Sequence, residues 1–92
     1  MSVVPEGSLE VEATVRAVLR DILGIDQARV DAFRDDTPLF GALPELDSMA
    51  VASVLTELED RLGIVIDDDE FDAEIMETFG ALTRFAIGKA LV

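Results

Sequence analysis

No cysteine, histidine, tryptophan or tyrosine occurs anywhere in the 92-residue chain. The lack of cysteine rules out disulfides, a thiol nucleophile and thiolate metal ligands together. The lack of histidine removes the commonest general base and most zinc sites. Positive charge is also scarce, with 7 basic residues against 20 acidic ones and a single lysine, for a net charge of −13. Phosphate backbones and anionic membrane surfaces repel such a chain, so neither nucleic acid nor a membrane is an expected partner. A strongly acidic surface is complementary to basic patches on other proteins, although acidity also serves solubility alone. Long apolar runs are missing too, and the longest falls far short of a membrane span. Met1 to Pro5 has neither a basic start nor an apolar stretch, so no signal peptide is expected and the chain reads as cytoplasmic.

What remains is sufficient for one small domain. Half of the residues are apolar, which allows a single core of modest stability without staples. Pro5-Glu6-Gly7-Ser8 is turn chemistry, which sets residues 1–7 apart as a flexible tail and 8–92 as the folded domain. Ser8 is the expected N-cap of a first helix, with Glu10 and Glu12 in its opening turn. Val11, Val15, Val18, Leu19 and Ile22 then form one helical stripe, and Gly24 stands where a left-handed C-terminal cap belongs.

Residues 25–47 resist regular assignment. Asp35-Asp36-Thr37-Pro38 and Gly41-Ala42-Leu43-Pro44 break regular structure, yet Val30, Phe33, Leu39, Phe40, Leu43 and Leu46 are too apolar for free linker. A loop this long in a small domain points to function, here one pinned to the core with a helical turn near Asp31 to Phe33. A second helix starts at Asp47-Ser48, carries Val51, Val54, Leu55, Leu58 and Leu62 on one face, and stops at Gly63. Ile64-Val65-Ile66 is short and extended, Asp67 to Asp72 is an acidic turn, and Asp72 to Met76 supports a short third helix. Thr78 caps a last helix in which Phe79, Leu82, Phe85, Ala86 and Leu91 are expected to face inward. The expected fold is all-α: a small antiparallel bundle of three main helices plus one short helix, with a long first loop. Its expected core includes Val15, Leu19, Ile22, Val54, Leu55, Leu58, Leu62, Phe79, Leu82 and Phe85.

The acidic run Asp67-Asp68-Asp69-Glu70 invites a calcium reading, which fails on spacing. An EF-hand loop starting at Asp67 needs an oxygen ligand at its fifth position, glycine at its sixth and glutamate at its twelfth. The chain has Phe71, Asp72 and Thr78 there, and no metal site is expected. No pair of carboxylates is marked as held apart in a pocket, and no nucleophile–base arrangement is visible, so the chain is not expected to be an enzyme. Among the serines, Ser2 and Ser8 fall in or beside the tail and Ser53 lies inside a helix. Ser48 follows Asp47 and opens a helix, where capping alone explains most Asp-Ser pairs.

The wider context singles Ser48 out. An amphipathic helix is followed by Thr37-Pro38-Leu39-Phe40, then by Leu46-Asp47-Ser48-Met49, then by Leu62-Gly63-Ile64, Ile66-Asp67 and Thr78-Phe79-Gly80-Ala81-Leu82. This ordered set resembles the acyl carrier protein family over nearly the whole chain, and peptidyl carrier domains share the plan. The resemblance implies that Ser48 bears a 4′-phosphopantetheine arm, attached from coenzyme A by a phosphopantetheinyl transferase. It also implies that Asp47 helps position magnesium during that transfer, and that the arm's thiol carries acyl groups as thioesters. A phosphodiester at Ser48 would sit at a helix N-terminus, where free N–H groups and the helix dipole favour an anion.

The chain departs from the fatty-acid carriers at two places. They usually have glycine two residues before the Asp, where this chain has Glu45, and Gly41 to Glu45 runs a residue or two long. They also place acids early on the helix after the serine, where this chain has Met49, Ala50, Ala52, Ser53 and Thr56. Met49, Ala52, Ser53 and Thr56 are therefore the expected surface for a dedicated, more apolar set of partners. The run from Ala42 to Val51 looks closest to carriers of exosortase-type exopolysaccharide systems, which implies an acyl-activating ligase or acyltransferase as partner. The chain itself is expected to be a monomer. Its apolar content suits a core that parts to shelter an aliphatic chain, and equally suits ordinary helix packing. Two other readings stay open. One is a peptidyl carrier loaded with an aminoacyl group. The other is an unmodified acidic interaction module, in which Ser48→Ala would cost only a cap, about 1 kcal/mol.

Overall fold

The computed structural model describes residues 7–91. Residues 1–6 of the expected tail lie outside the described residues, while Gly7 is part of the fold. The first helix, α1, spans Ser8–Leu23 and is capped by Gly7 at φ 91°. The Gly7 carbonyl accepts the Glu10 and Val11 N–H groups at 3.1 and 3.0 Å. Ser8 is therefore the first helical residue, buried, and not the N-cap expected from its side chain. A left-handed φ favours glycine at the cap, and the helix starts one residue earlier for that reason. Val11, Val15, Val18, Leu19 and Leu23 form the buried stripe, with Ile22 packed at its margin. Gly24, at φ 68°, closes the helix as its sequence position foretold.

A five-residue helix, α2, spans Gln27–Asp31. It begins four residues before the helical turn expected at Asp31 to Phe33, because the chain turns directly after extended Asp26 and both Val30 and Phe33 are buried. Helix α3 spans Ser48–Leu62 and ends at Gly63, φ 64°. Helix α4 spans Phe79–Ala90, with the Thr78 hydroxyl accepting the Ala81 N–H at 3.1 Å. The short helix expected at Asp72 to Met76 is a 3₁₀ turn, Ala73–Met76, preceded by another at Asp68–Glu70. Four residues are too few for a regular α-helical segment, and Met76 anchors the turn in the core.

The fold is thus a small helical bundle in which α1 packs against both α3 and α4. Among the described residues there is no strand, only one isolated bridge between Pro38 and Thr78. Of the expected core, Val15, Leu19, Val54, Leu58, Phe79 and Leu82 are buried, and Ile22, Leu55 and Leu62 pack against them at the edge. Phe85 and Leu91 do not join it. The inward stripe of α4 is Phe79, Leu82, Thr83 and Ala86, which leaves Phe85 half-buried on its shoulder. Leu91 lies past the helix end, 38% exposed, with its side chain alongside Gly7.

The long loop is held by backbone hydrogen bonds to the start of α4 and the turn before it. Leu39 and Phe40 donate to the carbonyls of Glu77 and Met76 at 2.9 Å, and Phe79 donates to Thr37 at 2.8 Å. Leu39, Leu43 and Leu46 then point into the core. These anchors bring the loop to Asp47 and fix where α3 begins. On another side of the molecule the Arg16 guanidinium lies 4.5 Å over the Phe79 ring and donates to the Val30 carbonyl, joining α1, α2 and α4.

Candidate functional site

Helix α3 needs an acceptor for its first free N–H groups, and Asp47 supplies it. Its backbone is extended, and its carboxylate accepts the Ala50 N–H at 2.8 Å while its carbonyl accepts the Val51 N–H at 2.9 Å. Ser48 is consequently the first helical residue and is exposed. Capping belongs to Asp47, so the loss of a cap expected on replacing Ser48 does not apply. Among the described residues the Ser48 hydroxyl makes no hydrogen bond to protein, which leaves it available to a reaction partner. The backbone N–H groups of Ser48 and Met49 likewise have no protein acceptor among the described residues, as befits a helix N-terminus that would receive an anion.

Two clefts open on either side of Ser48. The first, about 210 Å³, is walled by Phe40, Val51, Phe71, Ala73 and Met76 and is almost wholly apolar. The second, about 490 Å³, is bounded by Ala52, Leu55, Thr56, Glu59, Ile66, Asp67 and Asp68. Ser48, Val51 and Phe71 line both. The acids at the second rim are largely engaged in local structure. Glu59 accepts the Ile66 N–H at 2.8 Å, and Asp67 forms a reciprocal cap with Glu70. Glu70 accepts the Asp67 N–H at 3.1 Å and two further bonds from Lys89 at 2.8 Å, and chiefly that ammonium holds its carboxyl below the usual carboxylate range. Of the four carboxylates that invited a calcium reading, Asp67 and Glu70 are thus occupied in starting the 3₁₀ turn and tying it to α4.

Of the sequence-designated residues, Ser48 and Asp47 lie together at the α3 N-terminus. Met49, Ala52, Ser53 and Thr56 are all exposed on the same helix, with Met49 82% accessible. Phe40, 49% exposed, lies across the apolar cleft from Val51. Sequence reasoning missed Phe71 as a wall of both clefts. Its fifth position in the acidic run was weighed only as a missing ligand, although an aromatic between two breaks is a signal of an anchor. It also missed the Arg29–Glu45 ion pair, whose partners stand 16 residues apart, one in α2 and one in the loop before α3.

A family model described as the phosphopantetheine attachment site matches residues 13–86. The D-alanyl carrier protein of Enterococcus faecalis is 34% identical over 70 residues, covering 76% of this chain and 85% of that protein. The solution NMR structure of a holo acyl carrier protein from Nitrosomonas europaea superposes with a TM-score of 0.76 at 40% identity, covering 86% of this chain and 93% of that one.

Proposed function

Since the chain belongs to the phosphopantetheine-binding carrier family, whose cofactor is a covalent 4′-phosphopantetheine, we propose that Ser48 is its attachment residue and that the protein is an acyl carrier. The observation that carries this reading is the placement of Ser48: an exposed, unbonded hydroxyl at the first position of α3, beside the capping Asp47 and between two clefts. In the transfer reaction, the Ser48 oxygen forms a bond to phosphorus at the pyrophosphate of coenzyme A. The phosphorus–oxygen bond to the adenosine bisphosphate breaks, and the serine proton passes to a base of the phosphopantetheinyl transferase. Asp47 holds the helix start in place, and its carboxylate would help hold the magnesium ion of that step. Once attached, the arm supplies a terminal thiol that holds acyl groups as thioesters.

The chain acts as substrate and courier, with the bond-making done by partner enzymes. Met49, Ala52, Ser53 and Thr56 form the docking face, and its lack of acids fits dedicated partners such as an acyl-activating ligase or acyltransferase. A lipid or exopolysaccharide pathway is the setting that accords with the run from Ala42 to Val51. An aminoacyl cargo is the second reading, favoured by the likeness to a D-alanyl carrier protein. Loading with activated fatty and amino acids side by side separates the two.

The test is a thiol titration after coexpression with a broad-specificity phosphopantetheinyl transferase. The chain has no cysteine, so any stoichiometric thiol comes from the arm. One thiol per chain, absent in Ser48→Ala, is the expected result. A modified protein that keeps its thiol in Ser48→Ala would move the site elsewhere. No modification by any transferase, or in the natively produced protein, would leave an interaction module.

A further inference from the structure

We propose that Arg29 is a positioning residue for the modification of Ser48, acting through Glu45; the inference rests on the carrier reading above. The stretch Gly41–Leu46 delivers the chain to the α3 N-terminus. It turns at Gly41, φ 90°, and is stiffened by Pro44. On its inner side Leu43 and Leu46 are buried. Among the described residues, a single side-chain hydrogen bond holds its outer side, from Arg29 Nη1 to Glu45 Oε2 at 2.8 Å. Arg29 is itself firmly placed, because its neighbour Val30 is fully buried and anchors α2.

Glu45 is not an ordinary surface acid. Its Oε1 is buried and has no hydrogen-bond partner, so the Arg29 guanidinium is the one side chain answering its charge. Its own backbone N–H lies near enough to favour the anion without reaching hydrogen-bond geometry. That dipole and Arg29 together hold the carboxyl below the usual carboxylate range. With Arg29 gone, a partly buried carboxylate loses its counter-charge, and the segment must swing outward to hydrate it. The displacement has a short, stiff route to the site. Glu45 adjoins Leu46, which is buried and donates to the Leu43 carbonyl at 3.0 Å, and Leu46 adjoins Asp47, which caps α3. Moving Glu45 therefore moves the cap and the Ser48 hydroxyl against the helix that presents them.

The pair is partly exposed, at 46% and 34% for the two side chains, so its effect on global stability is small and its effect on placement is what an assay reads. The experiment measures kcat/KM for arm transfer from coenzyme A by a purified broad-specificity transferase, followed by intact mass. Arg29→Ala is expected to load about five-fold more slowly, the upper range for an exposed pair. Its thermal melt should stay close to wild type, and exchange of the Leu46 and Ala50 amides, bonded to Leu43 and to the Asp47 cap, should be faster. Arg29→Lys should keep most of the rate, and the swapped double variant R29E/E45R should recover it, which a merely structural lesion would not do. Loading of Arg29→Ala at the wild-type rate overturns the inference alone, and so does slow loading that neither Lys nor the swap repairs. Wild-type protein that acquires no arm overturns the carrier reading and this inference together.

Discussion

The Gly80 backbone N–H donates to the Asp35 carbonyl at 2.9 Å, and a methyl group on Gly80 would fall 2.1 Å from an Asp35 carboxylate oxygen and 2.6 Å from its carbonyl oxygen. This close approach joins the long loop to the first turn of α4. In an open helix, alanine is preferred to glycine by about 1 kcal/mol. Here the crowding outweighs that preference: the exposed Asp35 carboxylate can turn aside, but its backbone carbonyl, held by the Gly80 N–H, would have to give way. Gly80→Ala is expected to lower stability by about 1–3 kcal/mol in chemical denaturation. A variant as stable as wild type would show that the loop is free to retreat from α4.

The two roles of Asp47 separate by substitution. Asp47→Asn keeps an oxygen for the Ala50 N–H, whereas Asp47→Ala loses the cap at about 1 kcal/mol. Denaturation should rank Asn with wild type and Ala below. If Asp47 also serves the magnesium of arm transfer, as proposed, loading should rank them differently, with both variants slow for want of the carboxylate charge. Equal loading of Asn and wild type would confine Asp47 to capping.

Hydrogen bonds from Arg20 and Arg61 lower the Asp21 pKa to about 2. A carboxylate whose folded pKa lies below its unfolded value of about 4 adds stability above pH 4. That contribution fades as pH falls towards 2. Asp21→Asn should melt lower than wild type at pH 7, and the gap should close near pH 2. The groups are exposed, so high salt at pH 7 should narrow the gap as well. A gap constant across pH would assign the loss to packing.

Met49 projects beside Ser48 with most of its surface in solvent. Met49→Ala should therefore change stability by less than about 0.5 kcal/mol. If the face is a docking surface, the same substitution raises KM for enzymes acting on the arm and leaves kcat nearly constant. Unchanged KM across transferase and cargo-loading enzymes would remove Met49 from that face.

The three long helices were legible in the sequence because their signals are local. Gly24, Gly63, Asp47 and Thr78 mark ends, and the valine and leucine stripes mark inner faces. Ser48 stood out for another reason: its local signal is no more than a helix start, and the ordered set of motifs around it drew attention to it. Gly7 displaced Ser8 as cap because a left-handed backbone leaves no side-chain signature. Phe85 was assigned inward on hydrophobicity alone, while the stripe running through Thr83 fixed the true face. The loop escaped because main-chain bonds hold it, from residues 37–40 to 76–79, and any sequence can make those bonds.

One consequence follows from the position of Phe71 at the clefts beside Ser48. Phe71 lines both spaces, so a movement of its ring alters both. A tethered guest that displaced it from the apolar side would reshape the second cleft, beside α3. The outer contour of the protein would then report whether its interior is full or empty.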